Sequence, residues 1–262
     1  MSGSAALEGV RGLLLDLDGV LYVEDEPVEG AKESVRELRK GGLGLRFVTN
    51  TTARSRGQTV DKLGRLGFEV EHEELITPAA LARRHCLDAG HRTVALIMNE
   101  DVKEDFEGLE EVGEDPDAVI MGDLGEAFGF AILNRAFRMV MDGAELVALQ
   151  KNRFWLTEDG LSLDAGPFVA AIEYAAGTEA VVVGKPSASF FELVLGDLGE
   201  ESGRAAIVGD DVETDVEGGM RAGLAGILVR TGKYREDFVR SSGIEPTATV
   251  DSIADLPRLL GL

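Results

Sequence analysis

The amino-acid sequence predicts an α/β fold in which helices cover a mostly parallel sheet. Three observations predict it: short apolar runs recur along the chain, amphipathic stretches separate them, and polar clusters follow some of the runs. Runs rich in leucine and β-branched residues are typical of strands buried on both faces. Their alternation with helical stretches favours βαβ units, which build a parallel sheet.

Each predicted element follows from its local pattern. The short apolar runs predict, in chain order, the strands Gly12–Leu17, Leu43–Thr49, Thr93–Met98, Ala118–Met121, Glu145–Leu149, Ala180–Val183, Ala205–Val208 and Ala225–Val229. The amphipathic stretches between them predict the helices Ala31–Lys40, Gly57–Leu66, Ala127–Met141, Pro167–Ala176, Ser189–Leu198 and Glu213–Ala222.

Length and composition narrow the class of protein. At 262 residues and 44% apolar, the chain can bury a substantial core in one large or two modest domains. The single cysteine, Cys86, excludes an intrachain disulfide and favours a reducing compartment. Residues 1–12 lack a basic region followed by an apolar run, and no apolar stretch approaches the roughly 20 residues that span a bilayer. We therefore expect a soluble, cytoplasmic protein.

The charge excludes whole classes of partner. The formal net charge is −22, with 48 acidic against 26 basic residues. Such a chain repels the phosphate backbone of nucleic acid and the surface of an acidic membrane, so we expect neither as a partner. The acidic excess is compatible with a high-salt habitat and equally with an ordinary cytosolic protein.

The polar clusters that follow strands suggest the domain organisation. In an open parallel sheet, ligands bind beyond the carboxyl ends of the strands, so chemistry is expected in the residues after each run. Informative residues follow two runs near the start of the chain and two in its last third. We therefore predict a discontinuous core formed by residues 1–78 and 180–262, with residues 79–179 inserted as a second domain.

Two groups of acidic residues lie at the ends of predicted strands. Asp16 and Asp18 are two residues apart, so in a regular strand they would face the same side and repel without a cation or proton between them. Asp-Gly is also an ordinary turn signal, so this pair alone leaves a simple turn open. The second group contains Asp210, Asp211 and Asp215, and helix capping accounts for one of these but not for all three. Oxygen ligands without histidine or cysteine nearby favour a hard cation, and Mg²⁺ fits because it uses few carboxylates and keeps waters.

The other two clusters offer phosphate-binding groups. Lys185, between a strand and Pro186, is a cation suited to neutralising a phosphate and a carboxylate together, although a solvated charge stays open. Thr49 and Asn50 provide a hydroxyl, an amide and N–H groups, and Thr-Asn is also an ordinary loop start. Five carboxylates against one ammonium would repel a phosphate dianion, so the combination requires Mg²⁺.

Together these fragments resemble the haloacid dehalogenase superfamily. Its four motifs are similar to Asp16-Leu17-Asp18-Gly19-Val20, Thr49-Asn50, Lys185-Pro186 and Gly209-Asp210-Asp211 through Asp215, in that order. The resemblance covers nearly the whole chain, from about Val10 onward. It implies a Rossmann-like, doubly wound core with an inserted α/β cap domain of the C2 type.

Within the superfamily, the chain resembles subfamily IIA, the ribonucleotide monophosphatase-like and p-nitrophenyl phosphatases. The segments Asp164-Ala165-Gly166-Pro167 and Thr231-Gly232-Lys233-Tyr234 are similar to the branch of phospholysine phosphohistidine inorganic pyrophosphate phosphatases. Proteins of this kind often dimerise through the cap, so a homodimer is an expectation here too.

The resemblance implies a role for each candidate residue. Asp16 would be the nucleophile, and Asp18 the acid and base that serves the leaving oxygen and then water. The carboxylates of Asp16 and Asp210 and the backbone carbonyl of Asp18 would bind Mg²⁺, with Asp215 and Asp211 holding metal-bound waters. Lys185, Thr49 and Asn50 would bind the phosphoryl group, and Asp164 and Gly166 of the cap would face the substrate.

The activity implied is that of a Mg²⁺-dependent phosphatase of small phosphate esters, of the p-nitrophenyl phosphate type, acting through an aspartyl phosphate. Phosphoramidate or pyrophosphate hydrolysis is an alternative, and a phosphate-binding regulatory protein with vestigial activity is another. A dehalogenase is disfavoured because it has no use for Asp18 or a metal. Dehalogenases and phosphomutases also usually carry their cap between the first two motifs.

Overall fold

The computed structural model describes residues 7–157 and 160–262. The first six residues, on which part of the cytoplasmic expectation rests, lie outside the described residues. Within the described ranges, no helix combines the length and apolar character that crossing a membrane requires.

The elements alternate as predicted. In the described part of the chain the strands are β1 (Gly12–Asp16), β2 (Tyr22–Val23), β3 (Glu26–Pro27), β4 (Gly44–Val48), β5 (Leu75–Ile76), β6 (Thr93–Ile97), β7 (Glu110–Glu111), β8 (Ala118–Met121), β9 (Glu145–Ala148), β10 (Phe154–Thr157), β11 (Gly160–Leu163), β12 (Val181–Val182), β13 (Ala205–Gly209), β14 (Ala225–Val229) and β15 (Ala248–Val250). The α-helices are α1 (Ala31–Lys40), α2 (Arg56–Arg65), α3 (Pro78–Ala89), α4 (Glu100–Lys103), α5 (Phe130–Met141), α6 (Ala165–Ala176), α7 (Ala188–Leu198), α8 (Gly218–Arg221), α9 (Glu236–Ser242) and α10 (Leu256–Leu259).

The chain divides into two compact units. Unit 1 comprises Met1–Thr49, Val60–Ile76 and Lys185–Leu262, and unit 2 comprises Asn50–Thr59 and Thr77–Gly184. Unit 2 thus contains a short segment, Asn50–Thr59, that the sequence does not distinguish from the neighbouring residues of unit 1. The predicted division into residues 1–78 with 180–262 and residues 79–179 stays a prediction.

Unit 1 is built on a six-stranded sheet whose order is β15-β14-β13-β1-β4-β5, with every pair parallel. From β1 the chain first adds strands on one side of the sheet and later on the other. The strand order therefore reverses between β1 and β13, and such a switch point leaves a crevice at the carboxyl ends of the two strands. The predicted α/β fold class with a parallel, doubly wound sheet is confirmed.

Burial explains why β1 lies at the centre. All five of its residues are buried, which the unbroken run Leu13-Leu14-Leu15 predicts for a strand covered on both faces. Helix α1 turns Ala31, Val35 and Leu38 towards the same core, at the three- and four-residue spacing of an amphipathic helix.

Unit 2 has its own parallel sheet, of order β12-β9-β8-β6-β7, together with the antiparallel hairpin β10–β11. Residues of β6, β8 and β9 form its core with Ala136 and Met139 of α5 and Val169 and Ile172 of α6. Phe128, two residues before α5, stacks on Phe168 of α6 with ring centroids 4.0 Å apart.

The largest departure from the predicted elements lies after β13. The sequence predicts one helix over Glu213–Ala222, whereas the structure has a π-helix at Val212–Glu217 that continues into α8. The N–H of Val216 donates to the carbonyl of Asp211 at 3.2 Å, five residues back, which is the π-helical spacing. The predicted helix Ala127–Met141 begins only at Phe130, because residues 125–127 form a 3-10 turn.

A buried hydroxyl joins the two ends of unit 1 and gives the first test. Ser34 Oγ donates to the carbonyl of Ile253 at 2.7 Å, and both residues are buried. Ser34→Ala leaves that carbonyl without its donor, so we expect the free energy of unfolding in urea to fall by about 1–3 kcal/mol. Ser241 donates to the Phe238 carbonyl at 2.9 Å in an exposed position, so Ser241→Ala should change stability by less than about 0.5 kcal/mol. Equal losses in the two variants would contradict this account.

Candidate active site

The candidate site lies at the carboxyl edge of the unit 1 sheet, where the strand order reverses. Asp16 is the last residue of β1, and in the sheet it is level with Val48 of β4. On the other side, Leu15 is level with Val208, so β13 delivers Asp210 to the same edge. Topology therefore brings together clusters that are almost 200 residues apart in sequence.

A buried lysine joins two of the carboxylates. Lys185 Nζ donates to Asp16 Oδ1 and to Asp215 Oδ1, each at 2.6 Å. The side chains of Lys185 and Asp215 are 3% and 2% exposed, and that of Asp16 is 12% exposed. Charges taken this far out of water are tolerated only when they are paired, so the three groups depend on one another.

The pKa values follow from this competition between burial and pairing. Burial raises the pKa of Asp16 above its usual value, and the attraction of Lys185 only partly offsets it. For Asp215 the same two influences leave the pKa at about 6. Burial alone would lower the pKa of Lys185, but the two carboxylates raise it above the usual lysine value. Lys185 is therefore a permanent cation.

Asp210 completes the acidic group and has an unsatisfied oxygen. Its Oδ2 accepts a 2.7 Å hydrogen bond from the backbone N–H of Lys233, whereas no described residue donates to its buried Oδ1. Burial raises the pKa of Asp210 to about 6, against the lowering effect of the Lys233 N–H. A buried carboxylate oxygen without a partner is costly, so this atom indicates a missing cation or donor.

The three carboxylates fit a divalent cation. Asp16, Asp210 and Asp215 each offer an oxygen, and these atoms lie within 4.8 Å of one another. All three residues are buried, and the ligand set contains oxygen only, which suits Mg²⁺ better than a softer metal.

Three glycines allow the backbone to approach these carboxylates. A Cβ on Gly19 would lie 2.0 Å from Asp210 Oδ2, and one on Gly232 would lie 2.2 Å from the same atom. Both glycines have positive φ, of 80° and 63°. A Cβ on Gly209 would lie 2.3 Å from Asp215 Oδ2. Any larger residue at these positions would displace a carboxylate of the group.

The loop after β14 belongs to the site, contrary to the sequence interpretation. The sequence predicts no chemical cluster after the run Ala225–Val229, and it singles out Thr231, Gly232 and Lys233 only through the family resemblance. In the structure, the Thr231 hydroxyl donates to the Gly19 carbonyl and the Lys233 N–H to Asp210. The signal was available, because these residues follow a strand of the same parallel sheet.

The Lys233 side chain keeps much of its surface exposed while standing in the field of the acidic group. Desolvation lowers the pKa of Lys233, but Asp210 and Asp16 raise it further, so its net shift is upward. Lys233 is thus a second cation beside the candidate metal ligands.

Two predicted metal-site residues stand apart from the three carboxylates. The strand ends at Asp16, so strand alternation does not extend to Asp18, which is exposed and bridges to Tyr22. Asp211 Oδ1 accepts from the N–H groups of Glu213 and Thr214 at 3.0 and 2.9 Å, as a helix cap does. Capping accounts for Asp211, and its metal role stays a prediction.

The predicted phosphate- and substrate-binding residues divide between the units. Thr49 is buried at the end of β4 in unit 1, whereas Asn50, Asp164 and Gly166 group with unit 2. Asp164 Oδ1 accepts from Ala165 N at 2.7 Å and caps α6. A Cβ on Gly166 would lie 2.3 Å from a backbone oxygen, so close packing explains this glycine. Substrate roles for these residues stay predictions.

Comparisons with known proteins agree with this geometry. A family model described as haloacid dehalogenase-like hydrolase matches residues 13–111, and a second HAD-hydrolase-like model matches residues 182–256. Human haloacid dehalogenase-like hydrolase domain-containing protein 2 is 40% identical over 248 residues, covering 95% of each chain. Human phospholysine phosphohistidine inorganic pyrophosphate phosphatase is 37% identical over 260 residues, covering 97% of this chain and 95% of that one.

A solved structure is also similar. The p-nitrophenyl phosphatase from Archaeoglobus fulgidus superimposes with a TM-score of 0.88 at 27% identity, covering 95% of this chain and 98% of that one.

The close approach of Gly232 to Asp210 gives a test of the candidate metal site. Gly243 has a similar φ of 71° but open space around its Cβ position, so Gly243→Ala is a matched control for backbone strain. We expect Gly232→Ala and Gly243→Ala each to lose roughly 1–2 kcal/mol from that strain. Only Gly232→Ala should also lose the rise in Tm that Mg²⁺ produces by binding the folded state. An undiminished Mg²⁺-induced rise in Gly232→Ala would contradict the assignment of Asp210 to the metal site.

Proposed function

The chain belongs to the haloacid dehalogenase superfamily as a phosphatase of subfamily IIA, and from that premise we propose a Mg²⁺-dependent phosphatase of small phosphate monoesters that acts through an aspartyl phosphate on Asp16. The observation that carries the proposal is the convergence of Asp16, Asp210 and Asp215 beside Lys185, with one oxygen of Asp210 lacking a donor. That arrangement is better suited to binding a cation and a phosphate than to stabilising the fold.

Asp16 would act as the nucleophile. One of its carboxylate oxygens attacks phosphorus and forms the aspartyl phosphate, while the bond from phosphorus to the leaving oxygen breaks. Lys185 holds Oδ1 of Asp16 at 2.6 Å, so the attacking group is fixed before substrate arrives. The leaving oxygen takes a proton from Asp18, which is exposed and two residues away.

The second half of the reaction returns the site to its starting state. Asp18, now ionised, removes a proton from water, the water oxygen attacks phosphorus, and the bond to Asp16 breaks. Phosphate leaves, and Asp18 holds the proton for the next cycle. Thr49 and Asn50 would donate to the phosphoryl oxygens in both steps, together with Lys185.

The metal would be held by the carboxylates of Asp16 and Asp210 and the backbone carbonyl of Asp18. Asp215 and Asp211 would hold the waters of the metal. Mg²⁺ bound there supplies positive charge that offsets the repulsion between the phosphoryl group and the acidic residues.

Substrate choice would rest with the inserted domain. We propose that residues 79–179 are the cap, that Asp164 and Gly166 face the substrate, and that a homodimer forms through this domain. A cytoplasmic location, with neither nucleic acid nor membrane as a partner, is part of the same proposal.

A second candidate activity follows from the relative that is named for phospholysine, phosphohistidine and pyrophosphate, since its identity of 37% extends over almost the whole chain. Phosphoramidates and pyrophosphate are therefore alternative substrates.

Replacing the nucleophile tests the mechanism. In Asp16→Asn, the amide cannot form the aspartyl phosphate, so we expect hydrolysis of p-nitrophenyl phosphate to fall at least about 1,000-fold. Asp251 is an exposed aspartate paired with Arg230 on the surface, so Asp251→Asn should retain wild-type rates. Turnover of Asp16→Asn near the wild-type rate would refute the covalent mechanism.

Metal removal combined with a substrate panel tests the cofactor and the substrate class together. Activity should disappear in EDTA and return with added Mg²⁺, because a phosphate dianion is repelled by the metal-free acidic group. Rates should be compared for p-nitrophenyl phosphate, sugar phosphates, pyrophosphate and phosphohistidine. A preference of kcat/KM for phosphohistidine or pyrophosphate over every monoester would favour the second candidate. Full activity in EDTA would rule out the proposed cofactor.

A further inference from the structure

A small hairpin sits directly beyond Asp18 in unit 1. Strands β2 and β3 pair antiparallel, with Tyr22 opposite Pro27 and Val23 opposite Glu26. The hairpin is tied back to Asp18, because Asp18 bridges to Tyr22 and the N–H of Gly19 donates to the Tyr22 carbonyl at 2.7 Å. The backbone position of Asp18 therefore depends on where the hairpin lies.

One side chain of α2 fastens this hairpin. Lys62 Nζ donates to the Glu24 carbonyl at 2.7 Å and pairs with Asp25 Oδ1 at 3.1 Å. The same ammonium lies 4.3 Å from the centroid of the Tyr22 ring. Its side chain is only 12% exposed, so a single cation contacts both residues of the turn and the first residue of β2.

The hairpin is too short to be stable without contacts of this kind. Each strand has two residues, and a two-stranded hairpin is at best marginally stable in water. Glu24 has a φ of 56°, in the left-handed region that non-glycine residues avoid. Asp25 is 90% exposed, so its ion pair contributes little. The charged hydrogen bond to the Glu24 carbonyl and the contact with the Tyr22 ring therefore dominate.

We propose that Lys62 is a positioning residue for the phosphatase reaction: it holds the Tyr22–Pro27 hairpin and, through Tyr22, keeps Asp18 where it can protonate the leaving oxygen. The inference rests on the proposed function in one respect, the role of Asp18 as general acid. Lys62 does not contact the reacting atoms, and its influence reaches them through the backbone of residues 18–22.

The role of Lys62 predicts a dependence on the leaving group. p-Nitrophenolate is a stable anion that departs without a proton, whereas the alkoxide of phosphoserine needs one. In Lys62→Met, which retains an apolar side chain but no charge, kcat/KM for phosphoserine should fall about tenfold, which is part of the roughly 100-fold or larger effect of a general acid. For p-nitrophenyl phosphate, kcat/KM should fall less than about twofold, because its leaving group needs no proton. We compare kcat/KM because it covers the reaction only up to departure of the leaving group, whereas kcat also includes the later step in which Asp18 acts as a base on water. Lys62→Arg should restore part of the phosphoserine rate.

Lys103 provides a matched control. It also makes two ion pairs, to Glu100 at 2.8 Å and Glu111 at 2.9 Å, and its side chain is 22% exposed, but it lies in unit 2. Lys103→Met should leave the ratio of the two rates unchanged. An equal loss on both esters in Lys62→Met would overturn the proposal, because it would indicate a general structural effect.

Hydrogen exchange separates this proposal from the proposed function. The N–H groups of Gly19 and Val28 donate to the carbonyls of Tyr22 and Leu21 at 2.7 and 2.9 Å, so their exchange reports opening of the hairpin. Both should exchange at least about fivefold faster in Lys62→Met and unchanged in Lys103→Met. Unchanged exchange in Lys62→Met would overturn the proposal, whereas absence of phosphatase activity in the wild type would overturn the proposed function instead.

Discussion

The buried contact of Lys185 with Asp16 and Asp215 is the interaction on which the site depends. The three residues come from the end of β1, the segment before α7 and the π-helix after β13, and they meet at 2.6 Å in a region almost without solvent. Removing one partner of a buried charged group costs about 3–5 kcal/mol, so these three chain segments are held in register by electrostatics as well as by the sheet. The π-helix is part of this arrangement, since it carries Asp215.

The ammonium does not satisfy the whole acidic group. Ligand oxygens of Asp16, Asp210 and Asp215 lie within 4.8 Å of one another, and no described residue donates a hydrogen bond to the buried Oδ1 of Asp210. Gly19 and Gly232 surround Asp210 with backbone where any side chain would collide. Burial raises the pKa of both Asp210 and Asp215 to about 6, because removal from water disfavours the charged form of a carboxyl group. The site is therefore built to receive further positive charge, which is also what a bound phosphate requires.

Much of this could be predicted from sequence because the strands of a parallel sheet leave strong signals. The run Leu13-Leu14-Leu15 is typical of a strand covered on both faces, and the residue that ends such a strand is expected at the ligand-binding edge. Asp16, Asp210 and Lys185 were found in this way. The strands β5 and β15, of two and three residues, were missed because so short a run has no measurable periodicity. The Thr231–Lys233 loop was missed although it follows β14 of the same sheet, because its hydrogen bond to Asp210 comes from a backbone N–H, which no residue type marks in a sequence.

The central claim is that Asp16, and no other carboxylate of the group, receives the phosphoryl group. The most direct measurement mixes the wild-type enzyme with p-nitrophenyl phosphate and Mg²⁺, quenches during turnover with borohydride, which reduces an aspartyl phosphate to homoserine, and maps the product by mass spectrometry. The account predicts homoserine at position 16 alone. Homoserine at position 210 or 215, or rapid hydrolysis with no reduced residue anywhere in the chain, would contradict it.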